Sequence, residues 1–361
     1  MQIQLCDIWT SDEPYRMLID NAIMEVINKS SFIGGVYVRS FEENFAKYVG
    51  VNHCVGLSSC TAALYLAIEA LEIKGKILVP SMTVTADAEA VIQAGCIPVF
   101  YDDLDSISIL PPDIKAIIVV HLYGKPVNMD RVIKIARENS LFVIEDCAQS
   151  TGAKFNGRMT GTFGDVSCFS FFPTKVLGCY GDGGALLTDS DILADRVSAL
   201  RNHGRIRGEK HKHHYSGYNY RLDALQAAIL DVKLRYLDEL IAKRRSAAEM
   251  YNKLLLNKYI DRTQIEGYEE SVFYVYPIFV ENRDLLQKHL KKHGIGTGLH
   301  YPIPVHRQPA FEKYCNANLL GADYIANHEI SLPMYPGISN DQIEYVCRKI
   351  EGFYETQKKV S

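Results

Sequence analysis

Short runs of continuous apolar residues alternate with segments that are apolar on one side only through the first two-thirds of the chain. KILVP (76–80), IPVFYD (97–102), IKAIIVVHLYG (114–124), LFVIEDCA (141–148) and VSCFSF (166–171) lack the polar alternation of a half-exposed strand. They predict strands covered on both faces. Between them, TAALYLAIEALEI (61–73) brings Leu64, Ala67, Ile68 and Leu71 to one helical face. NMDRVIKIARENS (128–140) does the same with Val132, Ile133 and Ile135, bounded by Asn128 and Ser140. Such alternation predicts an α/β layer around a mostly parallel sheet.

Beyond about residue 225 the texture changes. Residues 221–256 read as one long amphipathic helical stretch, followed by strand-like SVFYVYPIFV (271–280), helical DLLQKHLKKHGI (284–295) and the proline-rich turn HYPIPVH (300–306). These predict a smaller α+β unit, with the chain dividing into 1–245 and 246–361.

Composition narrows the class. With 361 residues, 47% apolar and 23% charged, the chain has material for a large core. A net charge of −4 gives no field suited to nucleic acid or a membrane surface. Nine cysteines without a CxxC pair, several inside apolar runs, read as reduced thiols with no metal site. The opening MQIQLCDIWTSDEPYR lacks a signal-peptide pattern and no apolar run is long enough to span a bilayer, so a cytoplasmic protein is expected.

Three polar marks sit at the ends of expected strands, where α/β proteins place ligands. Ser58, Ser59, Cys60 and Thr61 open the first helical pattern; small hydroxyl residues there either cap the helix or shape a phosphate site at its positive end. Asp146 ends an apolar strand, as a turn cap or as the carboxylate that keeps a pyridine nitrogen protonated. Lys175 follows the strand ending at Ser170, and Gly178, Gly181, Gly183 and Gly184 follow it in turn. That lysine is either a solvated loop cation or an amine poised to form a Schiff base. Together the three marks describe a pyridoxal phosphate site. GDGGA (181–185) lacks GxGxxG spacing and excludes a dinucleotide fingerprint.

At this point the chain resembles the pyridoxal-phosphate-dependent sugar-nucleotide aminotransferases of the DegT type (DegT/DnrJ/StrS). The matching segments run in family order: FEENFAKYVGV (41–51), SSCTAAL (58–64), ILVPSMTVTADAEAVIQAGCIPVFYD (77–102), HLYGKPVNMD (121–130), VIEDCAQSTGA (143–153) and GDVSCFSFFPTKVLGCYGDGGAL (164–186). RNHG (201–204), GYNYRLDALQAAIL (217–230), HYPIPVH (300–306) and SLPMYPGIS (331–339) continue it. The resemblance implies the aspartate-aminotransferase-like fold (fold type I) and a homodimer with active sites at its interface. It implies that Lys175 bonds the cofactor and moves protons, that Asp146 pairs with the ring nitrogen, and that Gln149 lies against the ring or its hydroxyl. Ser59, Cys60, Thr61 and Ser170 would hold the phosphate, and Asn219 would reach the neighbouring subunit's phosphate. Tyr301 and His306 match positions near the substrate. Val84 stands where the family usually stacks an aromatic residue on the ring, Cys60 where glycine is common, and Thr151 where histidine is frequent. Relatives with histidine in place of the lysine are dehydratases, so Lys175 marks the transaminating type.

The reaction implied moves an amino group from L-glutamate to a nucleotide-linked keto-sugar. A 4-keto-6-deoxyhexose leads, with a 3-keto-sugar behind it. The diphosphate calls for cations. RNHGRIRGEKHKHHYSGYNYR (201–221) offers Arg201, Arg205, Arg207, Lys210 and Lys212. Arg205 and Arg207 are read as a nucleotide clamp, against a solvated loop. The alternatives are a cyclitol aminotransferase, a dehydratase and a non-catalytic cofactor-binding regulator; no helix-turn-helix or basic arm supports the last.

Overall fold

The computed structural model describes residues 1–104, 110–206, 208–209, 211–255, 260–261, 270–315 and 318–358. Helices α1 (Ile8–Asp12), α2 (Arg16–Asn28) and α3 (Gly35–Val49) lead into β1 (His53–Leu57), α4 (Cys60–Ala70), β2 (Lys76–Pro80), α5 (Ala86–Gln93), β3 (Ile97–Tyr101) and β4 (Ile114–Val120). Then come α6 (Met129–Asn139), β5 (Phe142–Asp146), the hairpin β6 (Lys154–Phe155) and β7 (Arg158–Met159), β8 (Val166–Ser170), β9 (Gly184–Thr188), α7 (Asp191–Leu200), α8 (Ala224–Leu234) and α9 (Leu237–Leu254). The last elements are β10 (Ile260–Asp261), β11 (Tyr276–Val280), α10 (Arg283–Lys292), α11 (Leu320–His328), β12 (Glu329–Leu332) and α12 (Asn340–Lys358).

Seven strands form one sheet in the order β1-β9-β8-β5-β4-β2-β3. Only β9 runs against its neighbours. The expected α/β class with a mostly parallel sheet is the observed one. Its continuous apolar runs have a direct cause in the pleat, which sends successive side chains to opposite faces. Ile77, Val79, Ile118 and Ile144 pack with α4 and α5, whereas Leu78, Ile117, Val119 and Val143 pack with α6 on the other face. Both layers are dry, so neither parity is polar.

The pleat also decides the fate of the paired acids at the end of β5. Asp146 shares the parity of Ile144 and faces the α4 side, while Glu145 shares that of Val143 and faces away.

The stretch 221–256 is not one helix. It breaks at Arg235–Tyr236, where Tyr236 stacks on Tyr15 with ring centres 4.1 Å apart. The division at 245/246 falls inside α9. The first half of α9 packs Leu237 and Ile241 on the large-sheet side, and its second half packs Ala247, Ala248 and Tyr251 with β11, β12 and α12. The strand expected at 271–280 forms only from Tyr276 onward, pairing with β10 and β12 in an antiparallel sheet of three strands.

Candidate active site

The carboxyl ends of β1, β5 and β8 and the start of β9 meet at one edge of the sheet. Gly184 pairs with both Leu57 and Ser170, which places it beside the β1–α4 turn and at the end of β8. A Cβ on Gly184 would lie 2.3 Å from the Ser59 carbonyl carbon, so only glycine lets β9 approach the α4 N-terminus this closely. At that N-terminus the Ser59 hydroxyl accepts the Ala62 amide at 3.1 Å, and its carbonyl accepts the Ala63 amide at 3.1 Å. Ser59 is therefore the N-cap. The Cys60 and Thr61 amides precede any intrahelical acceptor and belong to the positive end of the helix. Ser170 is nearly buried, and its Oγ accepts the Phe172 amide at 3.3 Å.

Asp146 is 1% exposed. Its Oδ1 accepts the Ala148 amide at 2.8 Å, and the Cys60 thiol points at the same oxygen from 3.8 Å. Burial raises its pKa, while the Ala148 amide, the Lys175 charge, the Asp87 side chain and His121 all pull it back down. Asp87, in the first turn of α5, is the buried neighbour that the sequence reading missed. Its only marker was an acid at a helix start, which reads as a favourable dipole contact. Burial, and then the Asp146 charge, push the Asp87 carboxyl well above its usual range, against the Thr83 hydroxyl that donates to its Oδ2 at 2.7 Å.

Lys175 lies on the turn after β8, half-buried, with its Nζ 4.3 Å from the centre of the Tyr274 ring. Gln149 is clamped at both ends of its amide. Its Oε1 accepts the Tyr123 amide at 2.7 Å, and its Nε2 donates to the Tyr301 hydroxyl at 3.2 Å. Tyr123 stands at φ 63 and donates its hydroxyl to the His300 carbonyl at 2.7 Å, tying the HYPIPVH turn to the sheet edge. Burial, with the Lys175 charge, lowers the His300 pKa to about 4, so its ring is neutral at ordinary pH. Tyr123, Tyr274 and His300 carried no sequence signal beyond lying in or near matched segments.

The remaining expected residues lie apart. Val84 is 36% exposed. His306 is buried, bonding Ser81 Oγ through Nδ1 with Nε2 3.6 Å from Asp323. Asn219 is exposed, on a segment that bridges Asn202. Arg205 donates to the Asn202 side chain at 2.8 Å and lines a separate cavity of about 410 Å³ with Arg39, Arg201 and Arg221. Arg207 and Lys210 lie outside the described residues.

His121, Glu145 and Cys147 come close enough together to suggest a metal site, but the ligand atoms of His121 and Glu145 are already engaged. Glu145 accepts the Gly161, Phe163 and Gly164 amides and His121 Nε2, while His121 Nδ1 accepts the Val127 amide at 3.0 Å. Burial opposes the Glu145 charge, yet His121 and these amides outweigh it and hold its pKa low.

The set fits a phosphorylated pyridine aldehyde. There is a buried carboxylate for a ring nitrogen, a helix start with small side chains for an anion, a glycine-narrowed gap and an amine on the same edge. The family model DegT/DnrJ/EryC1/StrS aminotransferase family matches residues 16–351. A pleiotropic regulatory protein of Geobacillus stearothermophilus is 38% identical, covering 98% of this chain and 99% of that one. A UDP-N-acetyl-3-dehydro-α-D-glucosamine 3-aminotransferase of Acidithiobacillus ferrooxidans is 37% identical, covering 96% and 97%. The structure of S. venezuelae DesV in complex with a ketimine intermediate superposes with TM-score 0.91 at 33% identity, covering 98% of each chain. The chain belongs to the DegT/DnrJ/EryC1/StrS aminotransferase family, sugar-nucleotide transaminases that use pyridoxal phosphate.

Proposed function

We propose that this chain transfers the amino group of L-glutamate to a nucleotide-linked keto-sugar, with Lys175 and Asp146 as its catalytic pair. The observation that carries the reading is the placement of Lys175 and the buried Asp146 on one sheet edge beside the start of α4. Pyridoxal phosphate, when bound, supplies the electron sink that makes the donor's Cα proton removable. Asp146 would hold the ring nitrogen's proton. Gln149 would lie along the ring, its amide already fixed by Tyr123 and Tyr301. The Cys60 and Thr61 amides, the Thr61 hydroxyl and Ser170 would take the phosphate. Lys175 Nζ would take the Cα proton from the donor and, in the second half of the cycle, give a proton to the sugar carbon that gains nitrogen. The Tyr274 ring lies against that amine and would steer it.

The working unit is a homodimer in the cytoplasm. In one chain Trp9, Met17, Met24, Phe32, Ile33 and Val36, all on the N-terminal helices and their connections, are exposed, apolar surface of the kind a second copy covers. Asn219, exposed here, would complete the partner's phosphate site, while Tyr301 would lie near the substrate beside Gln149 of its own chain. Among the described residues, no helix is long and apolar enough to cross a membrane.

The Acidithiobacillus relative is named for a ketone at carbon 3, and we place a 3-keto-sugar nucleotide ahead of the 4-keto-6-deoxyhexose. Incubating the protein with pyridoxal phosphate, L-glutamate and each keto-sugar nucleotide, with mass spectrometry of the product, tests both. Amine gain on either establishes the transferase and selects the carbon. Arg205→Ala is expected to raise the sugar-nucleotide KM and leave the glutamate half-reaction unchanged. The Geobacillus relative's name favours a second reading, a cofactor-binding regulator. Cofactor binding with no amine gain from any donor or sugar would select it.

A further inference from the structure

Asp87 gives the site a second buried carboxyl that the reaction described above does not use. It is fully buried, as is Thr83 nearly, and the Thr83 hydroxyl satisfies its Oδ2. Its Oδ1 is buried with no hydrogen-bond donor among the described residues, while its side chain makes hydrogen-bonding contact with Asp146. Around the pair stand Cys60 from α4, Tyr101 from β3, Cys168 from β8 and Tyr301 from the HYPIPVH turn, all of which feel these charges. Lys175 and His121 are the cationic or proton-bearing groups that act on Asp146.

Two carboxylates in contact in a dry site do not both ionise; one keeps a proton and donates it to the other. The donors decide which. Asp146 has the Ala148 amide, the Cys60 thiol and the Lys175 charge, whereas Asp87 has the Thr83 hydroxyl and its own backbone amide, with no cation among the described residues acting on it. We propose that Asp87 is a positioning residue: a neutral acid that donates its proton through Oδ1 to Asp146 and fixes the carboxylate that meets the ring nitrogen. This deepens the aminotransferase reading, since the ring nitrogen is the reason the alignment matters. The proton sharing is nonetheless a property of the protein without cofactor. It leaves a single negative charge behind the ring rather than two, and it takes up a lone pair of Asp146 that would otherwise be free to turn toward solvent.

The test is infrared difference spectroscopy of cofactor-free protein carrying carboxyl-¹³C aspartate, recorded above the titration of Glu329. The isotope removes every glutamate from view. A protonated aspartate C=O band is expected in the wild type, to be lost in Asp87→Asn and kept in Asp146→Asn. A band that survives Asp87→Asn puts the proton on Asp146, and no band in the wild type leaves both groups ionised; either overturns the proposal. Neither outcome depends on the protein's being an aminotransferase, so the two readings fail separately. Titrating pyridoxal phosphate into the variants supplies the second readout. Asp87→Asn still donates through its amide and is expected to bind within a few fold of wild type, whereas Asp87→Leu binds about tenfold more weakly. Equal binding by the two variants contradicts the donor role, and if Asp87→Leu does not fold, the infrared comparison decides alone.

Discussion

Lys175 and Tyr274 are paired: the lysine Nζ sits 4.3 Å from the centre of the tyrosine ring, and the tyrosine hydroxyl lies 3.3 Å from Thr174 Oγ1. The ring is thus held beside the Lys175 amine by Thr174, the residue preceding that lysine in sequence. A partly desolvated cation–π contact is worth about 1–2 kcal/mol. Tyr274→Leu is expected to slow the glutamate half-reaction about tenfold with cofactor content unchanged. Tyr274→Phe, which keeps the ring, is expected to stay within about twofold. Stopped-flow absorbance measures both, and a leucine variant as fast as wild type rejects a positioning role for the ring.

Gln149, proposed as a cofactor contact, is also a strut. Removing its side chain takes the Oε1 acceptor away from the buried Tyr123 amide, at a cost of about 2 kcal/mol. Tyr301→Phe, which removes only the hydroxyl accepting from Gln149 Nε2, costs about 1 kcal/mol or less. Urea unfolding of the cofactor-free proteins compares them. The order Gln149→Ala worse than Tyr301→Phe is the expected result.

The parts legible in the sequence are those set by local rules. Asn128 and Ser140 do bound α6, with the Asn128 side chain accepting the Arg131 amide, and Ser59 does cap α4. The continuous apolar runs are strands with both faces covered. What escaped was set by distant contacts. No glycine or proline marks the break at Arg235–Tyr236; it is made by stacking on Tyr15, far away in sequence. Asp87 looked like an ordinary first-turn acid, and only the packing of α5 against α4, β2 and β3 turns it inward to Asp146. Phe273 has φ 46, which delays β11 until Tyr276 although the whole segment is strand-like in composition. Resemblance and glycine spacing both singled out Lys175, whereas Tyr274 and His300 come to its surroundings through the tertiary fold alone.

Gly184→Ala tests the gap between β9 and α4. Its Cβ would meet Ser59 and Cys60 backbone atoms at 2.3 to 2.6 Å, and backbone cannot swing aside as a side chain does. A cost of about 3 kcal/mol is expected, with weakened pyridoxal phosphate binding because the α4 amides are displaced. A variant with wild-type stability and affinity would show that the approach is not needed.

Glu329 couples the HYPIPVH turn to pH. It accepts the His300 amide at 2.7 Å and the Ser331 hydroxyl at 2.5 Å, and burial raises its pKa from 4.5 to about 7. A carboxyl raised in the folded state favours folding fully below its unfolded pKa, and that contribution is lost as pH climbs through the folded value. The window is therefore 4.5 to about 7, and the loss across it comes to about 3 to 4 kcal/mol, at about 1.4 per unit. His300, lowered from 6.5 to about 4, acts the other way, its contribution disappearing as pH falls through that range. Glu329→Gln removes the first slope and keeps the second. Unfolding free energies of wild type and variant across this window are expected to diverge in the variant's favour as pH rises; parallel curves contradict the assignment.

The most direct test of the central claim is the visible absorption spectrum of the purified protein with pyridoxal phosphate, before and after L-glutamate, beside Lys175→Ala. The account predicts a lysine-linked cofactor band that gives way to the amine form on adding glutamate, and no such conversion in the variant. A cofactor band that no amino donor alters, or conversion that proceeds unchanged without Lys175, would contradict it.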